Sequence, residues 1–329
     1  MVRFIEKVQM SQSNTRKVNI VYLPHRRLEF SSSLLNILSR ADKSKFHLSI
    51  MIYGERIDQF KLMLETAQSY GISASIEVAC HTNIKNYLHK TVHATNMPYE
   101  YSIKLDEDIF LSHHVFNFLF TKGCEFLDDS QNLFVTPALS NGIPSIQNFM
   151  DSYLMDDEKR ALVDVFSKSK IPKRLWGVNW ENEQHVLDGG YNHDSWFNTV
   201  ARNPHYYKGL HPVRYDWDSQ LMMNEFVKKY IGMFNDPVDF TIDEITRPYF
   251  CNSVFLIKTS EWKSIINDKS LFVDDFEEVP LNRYWKNTQK KALCLTNSFG
   301  IHTMYNTLED VPKRDAAEHA FYRSIKDSL

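Results

Sequence analysis

Apolar residues in this chain fall in short runs, and the runs alternate between two spacings. Residues 17–24 (Lys-Val-Asn-Ile-Val-Tyr-Leu-Pro) are a compact apolar run closed by Pro24, which predicts a strand. Ser31–Ser33 then stand before Leu34, Leu35, Ile37 and Leu38, the arrangement of a serine-capped helix over about 32–41. Residues 46–53 read as a second strand broken by Gly54, and 56–69 repeat apolar positions at helical spacing. Residues 73–79 predict a third strand and 83–95 a third helix carrying Lys85, His89 and Lys90. In 101–105, Tyr101, Ile103 and Leu105 alternate with Ser102 and Lys104, a period-2 strand that runs into Asp106, Glu107 and Asp108. Ser112 caps the next helix, about 113–127, and 132–138 give another strand. Strand–helix alternation with short connections predicts an α/β fold with a doubly wound, mostly parallel sheet.

Beyond residue 140 the pattern loosens. Helices are predicted at about 156–168 and 217–230, with a mostly irregular stretch at 176–218 that includes Gly189-Gly190. Regularity returns with a strand at 249–258, a short helix at 260–267, and a last strand at 293–296 leading to His302. Residues 308–329 are charged and predict a helical tail. We expect one domain over 17–305, in two halves, 17–139 and 140–305, with 306–329 as the tail.

Composition removes several classes. Lys+Arg is 38 against Asp+Glu 41, a formal net charge of -3, so a nucleic-acid partner is not expected. There are 10 glycines and neither a G-x-G-x-x-G nor a Walker loop. Cys80, Cys124, Cys251 and Cys294 form no C-x-x-C pair, which argues against a zinc cluster. No run approaches the ~18 apolar residues of a membrane span, and residues 1–17 lack an apolar signal core. These features predict a cytoplasmic protein, with peripheral membrane contact left open.

The chemistry is concentrated at Asp106-Glu107-Asp108. A strand delivers three acids to its C-terminal end, where ligands sit in open α/β sheets. In extended geometry Asp106 and Asp108 point the same way, and no Lys or Arg interrupts them. Two hard oxygen donors on one side suit Mg²⁺ or Mn²⁺ holding a diphosphate. The competing account is an acidic turn after a strand.

In this order the elements resemble a GT-A-fold nucleotide-sugar glycosyltransferase of the large inverting group that builds surface polysaccharides. Lys104-Leu-Asp-Glu-Asp-Ile-Phe110 resembles the family's Asp-x-Asp motif. Asn252–Trp262 is similar to its strand-then-helix after the acceptor region. Asp274-Asp-Phe-Glu-Glu278 and the following Leu281–Trp285 stand in the place of its acid motif, and His302 where many members place a third metal ligand. The chain departs from the pattern where Glu277-Glu278 replaces the usual Glu-Asp, and residues 140–245 match nothing in it.

The resemblance implies a metal-dependent transfer of a sugar, with inversion, from a nucleotide-sugar donor to a saccharide acceptor. Asp108 would bind Mn²⁺ or Mg²⁺ directly, with Asp106 on the ribose or a metal-bound water and His302 as a further ligand. Pro24, Arg26, Tyr53, Lys85, Asp106 and Glu107 would line the nucleotide. The base that takes the acceptor's proton falls among Asp275, Glu277 and Glu278, with Glu278 favoured at a helix N-terminus. Trp176, Trp180, Trp196 and Trp217 offer platforms for sugars, or core packing. A haloacid-dehalogenase-type phosphatase would need the acids after its first strand. A nucleotidyltransferase would bring a Gly-rich N-terminal loop. A catalytically inactive scaffold of the same fold would bind glycan or a partner without turnover.

Overall fold

The structure, a computed structural model, describes residues 18–24, 27–53, 57–79, 98–140, 146–168, 216–234, 239–245, 253–271, 278–303 and 311–329. The chain begins with β1 (Val18–Leu23), α1 (Leu28–Ser39), β2 (Phe46–Tyr53), α2 (Ile57–Ser69) and β3 (Ala74–Ala79). These strands pair in parallel, β1 with β2 and β2 with β3. α2 ends in a Schellman motif. Gly71 takes φ 72, its N–H bonds Gln68 O at 2.9 Å, and the Ile72 N–H reaches Ala67 O at 2.9 Å.

β4 (Tyr101–Asp106) lies parallel on the other side of β1, and the short β5 (Ile109–Phe110) follows. Next come α3 (His113–Phe118), a π-helical turn at Leu119–Gly123, α4 (Cys124–Asp128) and β6 (Asn132–Leu139). The remaining elements are α5 (Ile146–Tyr153), α6 (Asp156–Lys168), α7 (Trp217–Phe234), β7 (Ile242–Glu244), β8 (Val254–Lys258), α8 (Thr259–Asn267), α9 (Glu278–Thr288), β9 (Lys291–His302) and α10 (Val311–Ile325). The sheet order is β3-β2-β1-β4-β8-β6-β9-β5, with β7 also on β9. β8 is antiparallel to both β4 and β6, and β6 and β9 run parallel.

The expected fold class is therefore observed: a doubly wound, mostly parallel α/β sheet of GT-A-like order. β1 is buried at every position, as a central parallel strand covered on both faces should be. Chain order reverses between β1 and β4, because β2 and β3 lie to one side and β4 to the other. That gap is the switch point at which open α/β sheets bind ligands.

Several local expectations change. α1 starts at Leu28, so Ser31–Ser33 lie within the helix and do not cap it. The Ser31 hydroxyl instead bonds Tyr22 Oη at 3.0 Å, and Ser33 bonds Tyr322 Oη at 2.8 Å. Serine tolerates a helix interior when its hydroxyl has such a tertiary partner. The cap at Ser112 is as expected, with its Oγ accepting the Val115 N–H at 3.3 Å. The last strand extends from 291 to 302, because its apolar run continues through Phe299–Ile301 against β6 and β5.

The tail is helical but it is not a free appendage. Along α10, Glu318, Phe321, Tyr322 and Ile325 are buried at i, i+3, i+4, i+7 spacing, with Leu329 buried beyond the helix end. Phe30 of α1, Phe110 of β5 and Tyr322 form a three-ring cluster with centroid separations of 4.3–5.6 Å. The Tyr322 hydroxyl donates to Glu29 O at 2.7 Å, which leaves the Ser33 hydroxyl as donor to Tyr322. His319 bonds the Glu29 carboxylate, and Arg40 bonds the Leu329 carbonyl.

Candidate functional site

The acids of 106–108 stand at the C-terminal edge of β4. β4 ends at Asp106, and the chain turns through Glu107 and Asp108 into β5. Extended-strand alternation therefore stops at Asp106, and the three carboxylates find different partners. Asp106 pairs with the Lys104 ammonium at 2.6 Å, two residues back on the same strand face. Lys104 is fully buried, while the Asp106 side chain is 27% exposed. Glu107 is buried and accepts the Arg27 backbone N–H at 3.2 Å and its Nη1 at 3.4 Å. That places an anion at the start of α1, the favourable end of its dipole.

Asp108 is buried, with His302 Nε2 3.4 Å from its Oδ2 and Arg27 Nη1 at 3.7 Å. The register of β5 on β9 explains the meeting. Ile109 faces His302 and Phe110 faces Ile301, and the Thr303 N–H bonds Asp108 O at 3.0 Å. Gly300 makes this close packing possible. A Cβ there would lie 2.4 Å from Leu111 Cδ2 and 2.9 Å from Leu139 Cδ2. Burial pushes the Asp108 carboxyl upward, but His302 and Arg27 outweigh it and hold the group below the usual carboxylate range. Burial also pushes the Tyr22 phenol far up, against its bond to Ser31, with the charges of Glu107 and Asp108 adding to the rise.

Arg27 ties the turn to the end of the chain. Its Nη1 faces Glu107 and Asp108, and its Nη2 bonds the Glu318 carboxylate of α10. Asp315 lies 4.0 Å from Nη2, and Arg314 Nε is 3.8 Å from Glu318 Oε1. The guanidinium also sits over the Phe30 ring, 5.5 Å from its centroid.

The structure thus brings Asp106, Glu107, Asp108 and His302 to one edge, with Pro24 buried at the end of β1 nearby in sequence and register. Tyr53 ends β2 at the same sheet edge. Arg26, Lys85, Asp275 and Glu277 lie outside the described residues, as do Trp176, Trp180 and Trp196 and the Gly189-Gly190 loop. Glu278 is the first residue of α9, and its side chain is not described. Trp217 meets α10, where Lys313 Nζ lies 5.1 Å from its ring centroid.

Sequence reasoning missed Arg27, Lys104 and Glu318 as parts of the site. The basic trio His25-Arg26-Arg27 gave a signal for one cation there but not for which. Lys104 was legible as a polar position on the motif strand. Glu318 was legible only as one charge in a charged helix, on the stripe that Phe321, Tyr322 and Ile325 mark as inward.

Among the described residues no group of three or more His, Cys, Asp or Glu side chains is arranged to hold a metal. The donor chemistry at Asp108 and His302 still suits a hard divalent ion. One carboxylate and one imidazole converge, and Mg²⁺-type sites commonly complete their shells with phosphate oxygens and water. A cavity of about 410 Å³ lined by Asp42, Lys45, His114, Asn117, Phe118, Thr121 and Phe240 opens beside Lys45, the residue before β2, at the opposite strand edge. No helix of the described residues is long and apolar enough to cross a membrane.

No family model and no curated protein matches the chain. Solved structures that it resembles include 4-diphosphocytidyl-2C-methyl-D-erythritol synthase of Anaerococcus prevotii, at 11% identity and TM-score 0.43, covering 94% of this chain and 97% of that one. A mycobacterial protein is similar at 8% identity and TM-score 0.41, covering 95% of this chain and 75% of that one.

Proposed function

We propose that the chain is a transferase that binds a nucleotide by its phosphates at the C-terminal edges of β1 and β4. Its reaction, in this reading, is sugar transfer with inversion from a nucleoside-diphosphate donor to a saccharide acceptor, in surface glycan synthesis. The observation that carries it is the acid turn at the sheet's switch point, completed by His302 from β9. Asp108 and His302 would hold Mn²⁺ or Mg²⁺, which when bound neutralises charge on the leaving diphosphate. Asp106, partly exposed at the strand end, would take the ribose, and Arg27, beside Asp108, would meet phosphate oxygens. The proton of the acceptor hydroxyl would go to a carboxylate among Asp275, Glu277 and Glu278, the last of which opens α9.

A second reading, nucleotidyl transfer, is favoured by Arg27, because a guanidinium beside the acid turn also suits a triphosphate. The sequence of residues 24–27 weighs against it, since it lacks the glycines of a phosphate-binding loop. Thermal shift with a panel of nucleoside diphosphates and nucleotide sugars, with and without Mn²⁺, tests both on the wild type and Asp108→Ala. Sugar transfer predicts metal-dependent stabilisation that Asp108→Ala loses, and release of a nucleoside diphosphate. Nucleotidyl transfer predicts pyrophosphate release from a triphosphate and a sugar or alcohol phosphate. Binding with neither product supports the inactive scaffold. No response to any nucleotide reduces the acids to a structural turn.

A further inference from the structure

We propose that α10 is a working part of this site and that Glu318 is a positioning residue, setting Arg27 against the acid turn so that its guanidinium can take a ligand phosphate. The inference rests on the nucleotide-binding reading above. Glu318 is fully buried, and its carboxylate bonds Nη2 of Arg27, while Nη1 of the same guanidinium faces Glu107 and Asp108. The cation is gripped from two sides by elements far apart in sequence. The α10 side of the grip is fixed by the Phe30–Phe110–Tyr322 cluster and by Tyr322 on Glu29 and Ser33.

An arginine carries a long, rotamer-rich stem, so ordering it needs partners at its head group. Its planar fork allows Nη2 to stay on Glu318 while Nη1, which rests beside Glu107 and Asp108, would turn to a ligand's phosphate oxygens. Stability alone does not require this arrangement, because apolar side chains commonly replace a buried ion pair without loss. A carboxylate at 318 makes most sense as a device for direction. Arg314 at 3.8 Å and Asp315 at 4.0 Å extend the same network along α10.

The test uses the full chain and two variants, Glu318→Gln and the milder Glu318→Asp. The first measurement is binding of UDP, GDP and CDP in the presence of Mn²⁺ by calorimetry, well below the melting temperature. The second needs no nucleotide: phenylglyoxal modification of Arg27, read by peptide mass spectrometry, with exposed Arg323 as internal reference. Glu318→Gln is expected to weaken the nucleotide that binds by about 10-fold or more, the worth of one charge-assisted bond. It should also raise Arg27 modification several-fold and leave Arg323 unchanged, with Glu318→Asp intermediate in both. Unchanged Arg27 modification overturns the positioning role, whatever the nucleotides do. A lowered melting temperature with unchanged affinity overturns it as well, leaving α10 as structural support. If the wild type binds no nucleotide, the functional reading and the phosphate role of Arg27 fall together. The modification rate then still decides whether Glu318 holds Arg27.

Discussion

Replacing Arg27 with methionine removes a charge and keeps most of the side chain's volume. In the folded protein it takes from Glu318, which is 0% exposed, the guanidinium that its carboxylate bonds, and it leaves Glu107 and Asp108 short of a shared cation. Breaking a buried ion pair from one side costs about 3–5 kcal/mol, a large part of the roughly 5–15 kcal/mol that holds a domain folded. The variant should also respond to pH with the opposite sign to an ordinary surface change. A buried carboxyl that loses a cation has its folded pKa moved up by burial, and where that carries it above the unfolded value the folded state holds a proton that the unfolded state has lost. Stability then rises as pH falls, by at most about 1.4 kcal/mol per pH unit for one proton. Urea unfolding at pH 7 and pH 5, followed by tryptophan fluorescence, reads both effects. We expect a loss of several kcal/mol at pH 7 and recovery of about 1–2 kcal/mol of it at pH 5. The reasoning is refuted if Arg27→Met unfolds within 1 kcal/mol of wild type at pH 7, or if the gap between them does not narrow at pH 5.

Three further outcomes follow from the same geometry. Asp108 has its folded pKa depressed, so its stabilising contribution is complete above the unfolded carboxyl value and is lost as pH falls through the folded one; the stability difference between wild type and Asp108→Asn should shrink as pH falls below the unfolded carboxyl value, as acid-range urea titrations would read. Gly300→Ala drives a methyl into Leu111 and Leu139, both buried, and should cost about 1–3 kcal/mol, and less than 0.3 kcal/mol would show that the leucines yield freely. Ser112→Ala removes the cap of α3 and should cost about 1 kcal/mol, with Ser112→Asp restoring most of it in the same unfolding assay.

The N-terminal, parallel part of the sheet was legible in the sequence. Apolar runs of four to eight residues, each followed by helical spacing, point to parallel strands with crossover helices, and the predicted strands 46–53 and 73–79 agree with β2 and β3 to within a residue, whereas the antiparallel pairing of β8, β5 and β7 carries no such signal. The acid turn was legible for the same reason: a strand of period 2 that ends in three acids places them at a sheet edge wherever the other strands lie. The limit of that logic came one residue later. Side-chain direction can be read along a strand only while the strand lasts, and it ends at Asp106, so the partners of Glu107 and Asp108 were set by a turn.

Asp106 has a local partner, Lys104 of the same strand, but the partners of Glu107 and Asp108 depend on tertiary structure. Arg27, His302 and Glu318 come from three distant segments, and no local pattern pairs a cation in one loop with a carboxylate on a helix near the other end of the chain. Period and propensity are properties of neighbours in sequence. Ion pairing in the interior is a property of neighbours in space, fixed here by the register of β5 on β9 and by the docking of α10 on α1.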